Sequence, residues 1–244
     1  TSDAQASYFE TATITLSPTD SLSGAVETMW RLDGGSWQSG INVLSTSVGS
    51  HTLQYYSIDE VGNSETPQTL DFDIRERFEQ TDSHLYYDGS WLTHATGAYS
   101  SGSVLYTKTD SSSMTFMFKG TGFNWIGTSA PAYGIAEVVV DGGLPVEVDL
   151  YSAAWLFQKD LFSTSGLIET THTVTINRTG RQNIAATTAN VAVDAIELVG
   201  EFVHEIDDPA TVSDIDEAWQ QGPVTVELTG SDTLSGVAET YYRL

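Results

Sequence analysis

The stretch MTFMFKG, Met114 to Gly120, puts Met114, Phe116 and Phe118 on one side of an extended backbone and Thr115, Met117 and Lys119 on the other. A period of two is that of a strand with one face buried, because successive side chains of a strand point to opposite faces. Runs of the same kind recur in TATITL (11–16), HTLQYYSI (51–58), IAEVVV (135–140), HTVTINR (172–178) and VTVEL (224–228). Asp33-Gly34-Gly35, Gly62-Asn63 and Asp141-Gly142-Gly143 punctuate them with residues that tolerate positive φ. The last of these sits between two strand runs, as a hairpin turn does. No convincing amphipathic helix pattern occurs, so the expected fold is all-β.

Composition narrows the partners. Apolar residues make up 40% of the 244 and aromatics 11%, enough for packed cores. Nine Lys and Arg stand against 33 Asp and Glu, a net charge of −24. Nucleic-acid binding depends on Lys and Arg displacing counterions, and anionic membrane surfaces recruit the same residues, so the expected partners include no nucleic acid. No apolar run reaches the roughly 18 residues of a membrane span, so this segment is not expected to insert directly into a bilayer. Without cysteines the redox compartment is unreadable. Strong acidity suits a protein kept soluble outside the cell or at its surface.

The chain also repeats itself. SDTLSGVAETYYRL (231–244) matches TDSLSGAVETMWRL (19–32) at eight of fourteen positions, and Thr1-Ser2-Asp3 corresponds to Val212-Ser213-Asp214. The repeat divides the chain into a small domain (1–74), a larger sandwich richer in turns and aromatics (75–203), an acidic linker carrying Pro209 (204–210) and the first half of a second small domain (211–244). A half-domain leaves strand edges unpaired and apolar faces wet. The expectation is therefore that the polypeptide continues past Leu244, the alternative being completion by strands of another subunit.

The first segment resembles the bacterial and archaeal Ig-like repeat of secreted and surface proteins. The matching residues are Asp20, Ser23, Gly24, Arg31, Asp33, Gly49, His51, Tyr55, Asp59, Gly62 and Asn63, with Trp30 where the second copy has Tyr242. The middle segment resembles the galactose-binding-like β-sandwich (jelly-roll) modules appended to secreted bacterial glycoside hydrolases. That resemblance rests on YYDGSW (86–91), FMFKGTGFNWIG (116–127), YGIAEVVVDGG (133–143), VDLYS (148–152), FSTSGL (162–167), THTVTI (171–176) and VAVDAIEL (191–198). It implies tandem β-sandwiches, glycan binding and often a structural calcium ion; the Ig-like resemblance implies a spacer or adhesive domain.

Sugar recognition needs an aromatic platform for a pyranose face and polar groups for its hydroxyls. Trp125, Tyr133, Tyr151 and Trp155 fall near strand ends or loops of the middle segment, and Asp141, Asp149, Arg178 and Asn183 could supply the polar groups. Tyr133 and Trp155 are flanked by turn residues. Trp91 and Trp125 lie inside strand-like runs, where a ring is more often core. Calcium needs several hard oxygens, for which Glu79, Asp82 and Asp194 are the candidates. Asp20 and Asp59 sit in turn sequences that such residues usually cap themselves. Asp194 interrupts an apolar run, so a bulge or a specific partner is expected there.

Asn177-Arg178-Thr179 is the one N-x-[ST] glycosylation acceptor. The five histidines are dispersed, and no H-E-x-x-H, G-x-S-x-G or P-loop occurs, so no enzyme activity is expected. The leading reading is a non-catalytic section of a long extracellular or cell-surface protein, acting as spacer and adhesin, whose partners are glycans or neighbouring copies of itself. The alternatives are a carbohydrate-binding module attached to a secreted glycoside hydrolase, and a filament or sheath subunit completed by strand exchange.

Overall fold

The computed structural model describes residues 1–20, 24–204, 210–214, 225–231 and 240–242, in two compact units, Thr1–Phe202 and Val203–Leu244. The first unit opens with β1 (Ser7–Phe9), β2 (Ala12–Thr15), β3 (Ala25–Leu32), β4 (Gln38–Ser39), β5 (Asn42–Ser45), β6 (Gly49–Asp59) and β7 (Gln68–Glu79). Strands β4, β3, β6 and β7 pair in that order, β1 joins β7 in parallel, and β2 pairs with β5 separately. The two layers close on one core: Ala12, Ile14 and Val43 from β2 and β5, and Trp30, Leu53, Tyr55, Phe72 and Ile74 from the other sheet. Alternate residues of each strand supply that core, as the period of two requires.

The larger part follows with β8 (Tyr86–Asp88), β9 (Leu92–Ala95), β10 (Ser103–Thr107), β11 (Ser113–Ser129), β12 (Ile135–Val140), β13 (Val146–Asp149), β14 (Leu156–Thr164), β15 (Thr170–Arg178), β16 (Val191–Val193) and β17 (Ala195–Phe202). A single 3₁₀ turn, Ser100–Gly102, is the one helical element among the described residues. In β11, Met114, Phe116 and Phe118 are fully buried while Lys119 is exposed, the arrangement that MTFMFKG predicts. Burying each such ring contributes about 1.5–3 kcal/mol. TATITL, HTLQYYSI, IAEVVV and HTVTINR fall in β2, β6, β12 and β15.

The 17-residue β11 serves several neighbours. Its first half pairs with β15, its second with β17 and β14, and the register shifts between Gly120 and Gly122. A Cβ on Gly120 would collide with the carbonyl of Val199, and one on Gly200 with the carbonyl of Lys119. Only glycine lets these backbones meet. The second sheet, β16-β10-β9, covers the other side of a core built on Phe116, Phe118, Phe123, Trp125, Val191 and Val193.

Strand β7 runs through both halves. It pairs with β6 over Gln68–Ile74 and with β17 over Glu76–Glu79. The expected boundary at 74/75 lies inside this strand, between Ile74 of the first core and Phe78, which packs against the second. Arg75 and Arg77 both reach the buried Glu197 of β17, at 3.3 and 2.5 Å. Two guanidinium groups on one carboxylate compensate its loss of water.

In the second unit β18 (Ala210–Ser213) pairs antiparallel with β19 (Leu228–Ser231), which starts where VTVEL ends. Asp214 Oδ1 accepts from Glu227 N at 2.6 Å and Asp214 N donates to Glu227 O at 3.2 Å. Asp3 makes the same two contacts with Thr15 in the first unit, at the same two distances. The repeat therefore extends to a hydrogen-bonded corner. Most of its second copy, 232–239 and 243–244, lies outside the described residues, as do 205–209 of the expected linker and 21–23 of the first copy.

Candidate functional site

Two residues singled out for sugar stacking, Tyr133 and Trp155, meet in the structure. They border a recess of about 170 Å³ with His94 of β9, Tyr106 of β10, Tyr99 before the 3₁₀ turn, and Asn190. Tyr133 is held in the turn after β11, its N–H donating to Ala130 O at 3.2 Å. Next to it Gly134 N donates to Asn190 O and Asn190 N to Ala132 O, which brings Asn190 alongside. Tyr133 is 3% exposed and Trp155 51%, with rings nearly perpendicular (88°) and centroids 6.0 Å apart.

Further rings continue outward. Phe157 lies 5.8 Å from Trp155 at 20°, Tyr99 lies 5.3 Å from Phe157 at 76°, and His94 lies 5.7 Å from Tyr99. His94 Nδ1 and the Tyr99 hydroxyl are 3.1 Å apart. Burial raises the pKa of Tyr133, helped by Tyr99, Tyr106 and Asp194; burial, Asp194 and Tyr106 raise that of Tyr99. Both phenols therefore keep their protons at neutral pH. The carboxamide of Asn190 and the hydroxyls of Tyr106 and Tyr133 have no hydrogen-bond partner among the described residues. A recess with aromatic walls and unengaged polar atoms is suited to a pyranose ring, which offers apolar C–H faces and equatorial hydroxyls.

Other candidates lie elsewhere. Trp125 is fully buried and its indole N–H donates to Ala192 O at 3.1 Å, so it is core and presents no face to a ligand. Arg178 is likewise structural: its Nε donates to Ala189 O at 2.8 Å and its Nη1 pairs with Asp110. Tyr151 bridges the backbone of Ala130 outside the recess. Asp149 and Asn183 bond each other at 2.7 Å. Asn177 sits inside β15, backbone-paired with Ser113 and Glu137, rather than on a loop. His94, Tyr99, Tyr106 and Asn190 are members of the recess that the sequence did not reveal. They come from four separate segments, and no local pattern joins them.

The three carboxylates proposed for calcium separate into a pair and a single. Asp194, fully buried between β16 and β17, accepts from Ser100 N with both oxygens, at 3.0 and 3.2 Å. Glu79 Oε1 accepts from Ser100 Oγ at 2.7 Å, while its Oε2 is buried without a partner. Burial, reinforced by Glu79, pushes the Asp194 carboxyl up to about 6, against the opposing pull of the Ser100 N–H and Arg77. Asp82 instead bonds His84, ring and backbone, at 2.7 and 2.9 Å. Among the described residues no three His, Asp or Glu side chains group closely enough to hold a metal. In the smaller sandwich Asp20 and Asp59 cap their own turns, as expected, accepting from Gly24 N and from Val61 and Asn63 N.

No family model matches the chain. It is 36% identical over 98 residues to the A type blood N-acetyl-alpha-D-galactosamine deacetylase of Flavonifractor plautii, which is 40% of this chain and 13% of that protein. It is 34% identical over 76 residues to the A type blood alpha-D-galactosamine galactosaminidase of the same organism, 31% of this chain and 7% of that one. The chain thus spans a small fraction of the length of either relative. Among solved structures, a β-sandwich carbohydrate-binding module with promiscuous specificity gives a TM-score of 0.40 at 8% identity over 84% of this chain and 96% of that one. A two-domain esterase active on acetylated mannans, co-crystallised with mannopentaose, gives 0.41 at 14% identity over 54% and 38%. No helix among the described residues is long and apolar enough to cross a membrane.

Proposed function

We propose that the larger sandwich is a non-catalytic carbohydrate-binding module, carried in an extracellular or cell-surface protein that acts on or adheres to glycans. One observation carries this reading: the half-exposed Trp155 stands at a right angle to the buried Tyr133, beside the unengaged carboxamide of Asn190. Identity over a short stretch of two much larger carbohydrate-active enzymes favours an accessory segment. This moves glycan binding ahead of the spacer role that the sequence puts first, and gives the smaller sandwich the spacer role. Calorimetric titration of the whole chain with a panel of neutral and amino-sugar glycans tests it. Saturable binding weakened about tenfold or more by Trp155→Ala is expected. Uniform silence, or binding indifferent to Trp155→Ala and Asn190→Ala, overturns it.

Glu79 and Asp194 are the residues that would hold a structural calcium ion, and the orphaned Oε2 of Glu79 is what favours one. The ion would neutralise two neighbouring carboxylates and brace the Tyr99–Ser100 wall of the recess. Added calcium should then raise the melting temperature by a few degrees, and Glu79→Gln should abolish the rise. An unchanged melting temperature removes calcium from the reading.

A further inference from the structure

The geometry points to a second sugar subsite at Phe157, outside the recess, so that the site reads a neutral chain of at least two pyranose units. This inference rests on the glycan-binding reading and extends it. Trp155 stands immediately before the edge strand β14 and Phe157 is that strand's second residue, and their rings lie 5.8 Å apart. Their rings are nearly parallel, 20° apart, but the 5.8 Å between centroids is too long for a face-to-face stack. They are therefore offset, and both residues remain partly open to solvent, Trp155 at 51% and Phe157 at 37%.

Each of these platform rings has its own upright wall. Tyr133 stands at 88° to Trp155, and Tyr99 at 76° to Phe157. The same corner is built twice, side by side. The recess itself, about 170 Å³, is well below the roughly 300–1,000 Å³ of pockets that take drug-sized ligands, so it suits a single ring. A second unit of the chain has to lie over Phe157. The six lining side chains include no Lys, Arg, Asp or Glu. An anionic sugar would lose water there without gaining a counter-charge, which assigns the site to neutral sugars.

The test titrates the whole chain with two matched series, methyl α-galactoside with an α-galactosyl disaccharide, and mannose with mannobiose and mannopentaose. In the series that binds, the disaccharide should bind about threefold to tenfold tighter than the monosaccharide. Phe157→Ala should erase that increment while leaving the monosaccharide affinity intact, and Phe157→Trp should restore it. Trp155→Ala should weaken both ligands. Equal affinity for one and two units, or a Phe157→Ala loss shared by the monosaccharide, overturns the subsite and leaves the glycan reading standing. Binding of charged glycans in preference to every neutral one overturns the neutral-chain assignment, and silence from every glycan overturns both readings.

Discussion

The small and large sandwiches share one device and differ in what lies beyond it. In the small one, Asp33-Gly34-Gly35 follows β3, and the Asp33 carboxylate takes His51 Nδ1 at 2.8 Å and Thr52 N at 2.8 Å, while His51 Nε2 meets Ser47 O at 2.6 Å. In the large one, Asp141-Gly142-Gly143 follows β12, and Asp141 takes His172 Nδ1 at 2.7 Å and Thr173 N at 2.9 Å, while His172 Nε2 meets Ile168 O at 2.8 Å. Both aspartates have φ of 52°, and each imidazole lies on a phenylalanine of the neighbouring strand, Phe72 or Phe118. The clasp ties a turn to the adjacent strand in the same way whatever the size of the core. The glycan site proposed above lies away from the clasp, at the aromatic recess of the large sandwich.

Breaking the equivalence should begin with the rings beneath the imidazoles. Phe118→Ala and Phe72→Ala should each cost about 3–5 kcal/mol in denaturant unfolding, since both rings are buried. A difference much above 1 kcal/mol would show that the two clasps rest on unlike supports. Next, Asp141→Ala and Asp33→Ala should each cost about 2–3 kcal/mol, leaving an imidazole and a Thr N–H without their acceptor. Gly142→Ala and Gly34→Ala, at φ of 65° and 70° with open space around them, should cost about 1–2 kcal/mol from backbone conformation alone.

The smallest expected effect is a pH slope. Burial lowers the pKa of His172, but the Asp141 hydrogen bond, the Ile168 carbonyl and the Asp141 charge outweigh it, so the net shift is upward. Both ring nitrogens face acceptors, a contact set that favours the doubly protonated ring. A raised folded pKa contributes stability that is full below the unfolded value of about 6.5 and is lost as pH rises through the folded value. Urea unfolding across neutral pH should show this decline. Asp141→Asn should flatten it, and an unchanged slope would remove His172 from the account.

The halves of the clasp are visible in the sequence, as Asp-Gly-Gly turns and as histidines at strand starts, but their pairing across 18 and 31 residues is not. The recess divides the same way. Tyr133 and Trp155 were legible because turn residues flank them, and Asp20 and Asp59 because they cap turns a few residues long. Trp125 is core, as its place inside a strand run favours, whereas Arg178 misled because a guanidinium in a strand reads alike whether it faces ligand or interior. The interior claims both here.

By itself the sequence determined the strands, the turns and the repeat, because side-chain alternation and positive-φ residues act over two to four positions. The tertiary structure alone decided that β7 serves two cores, that Asp194 meets Glu79 across Ser100, and that rings from separate strands converge on one recess. Those outcomes depend on which strand edges pair and on how far each sheet twists. Such long-range pairing is a choice among many apolar alternatives, and it is settled by the packing of the whole core.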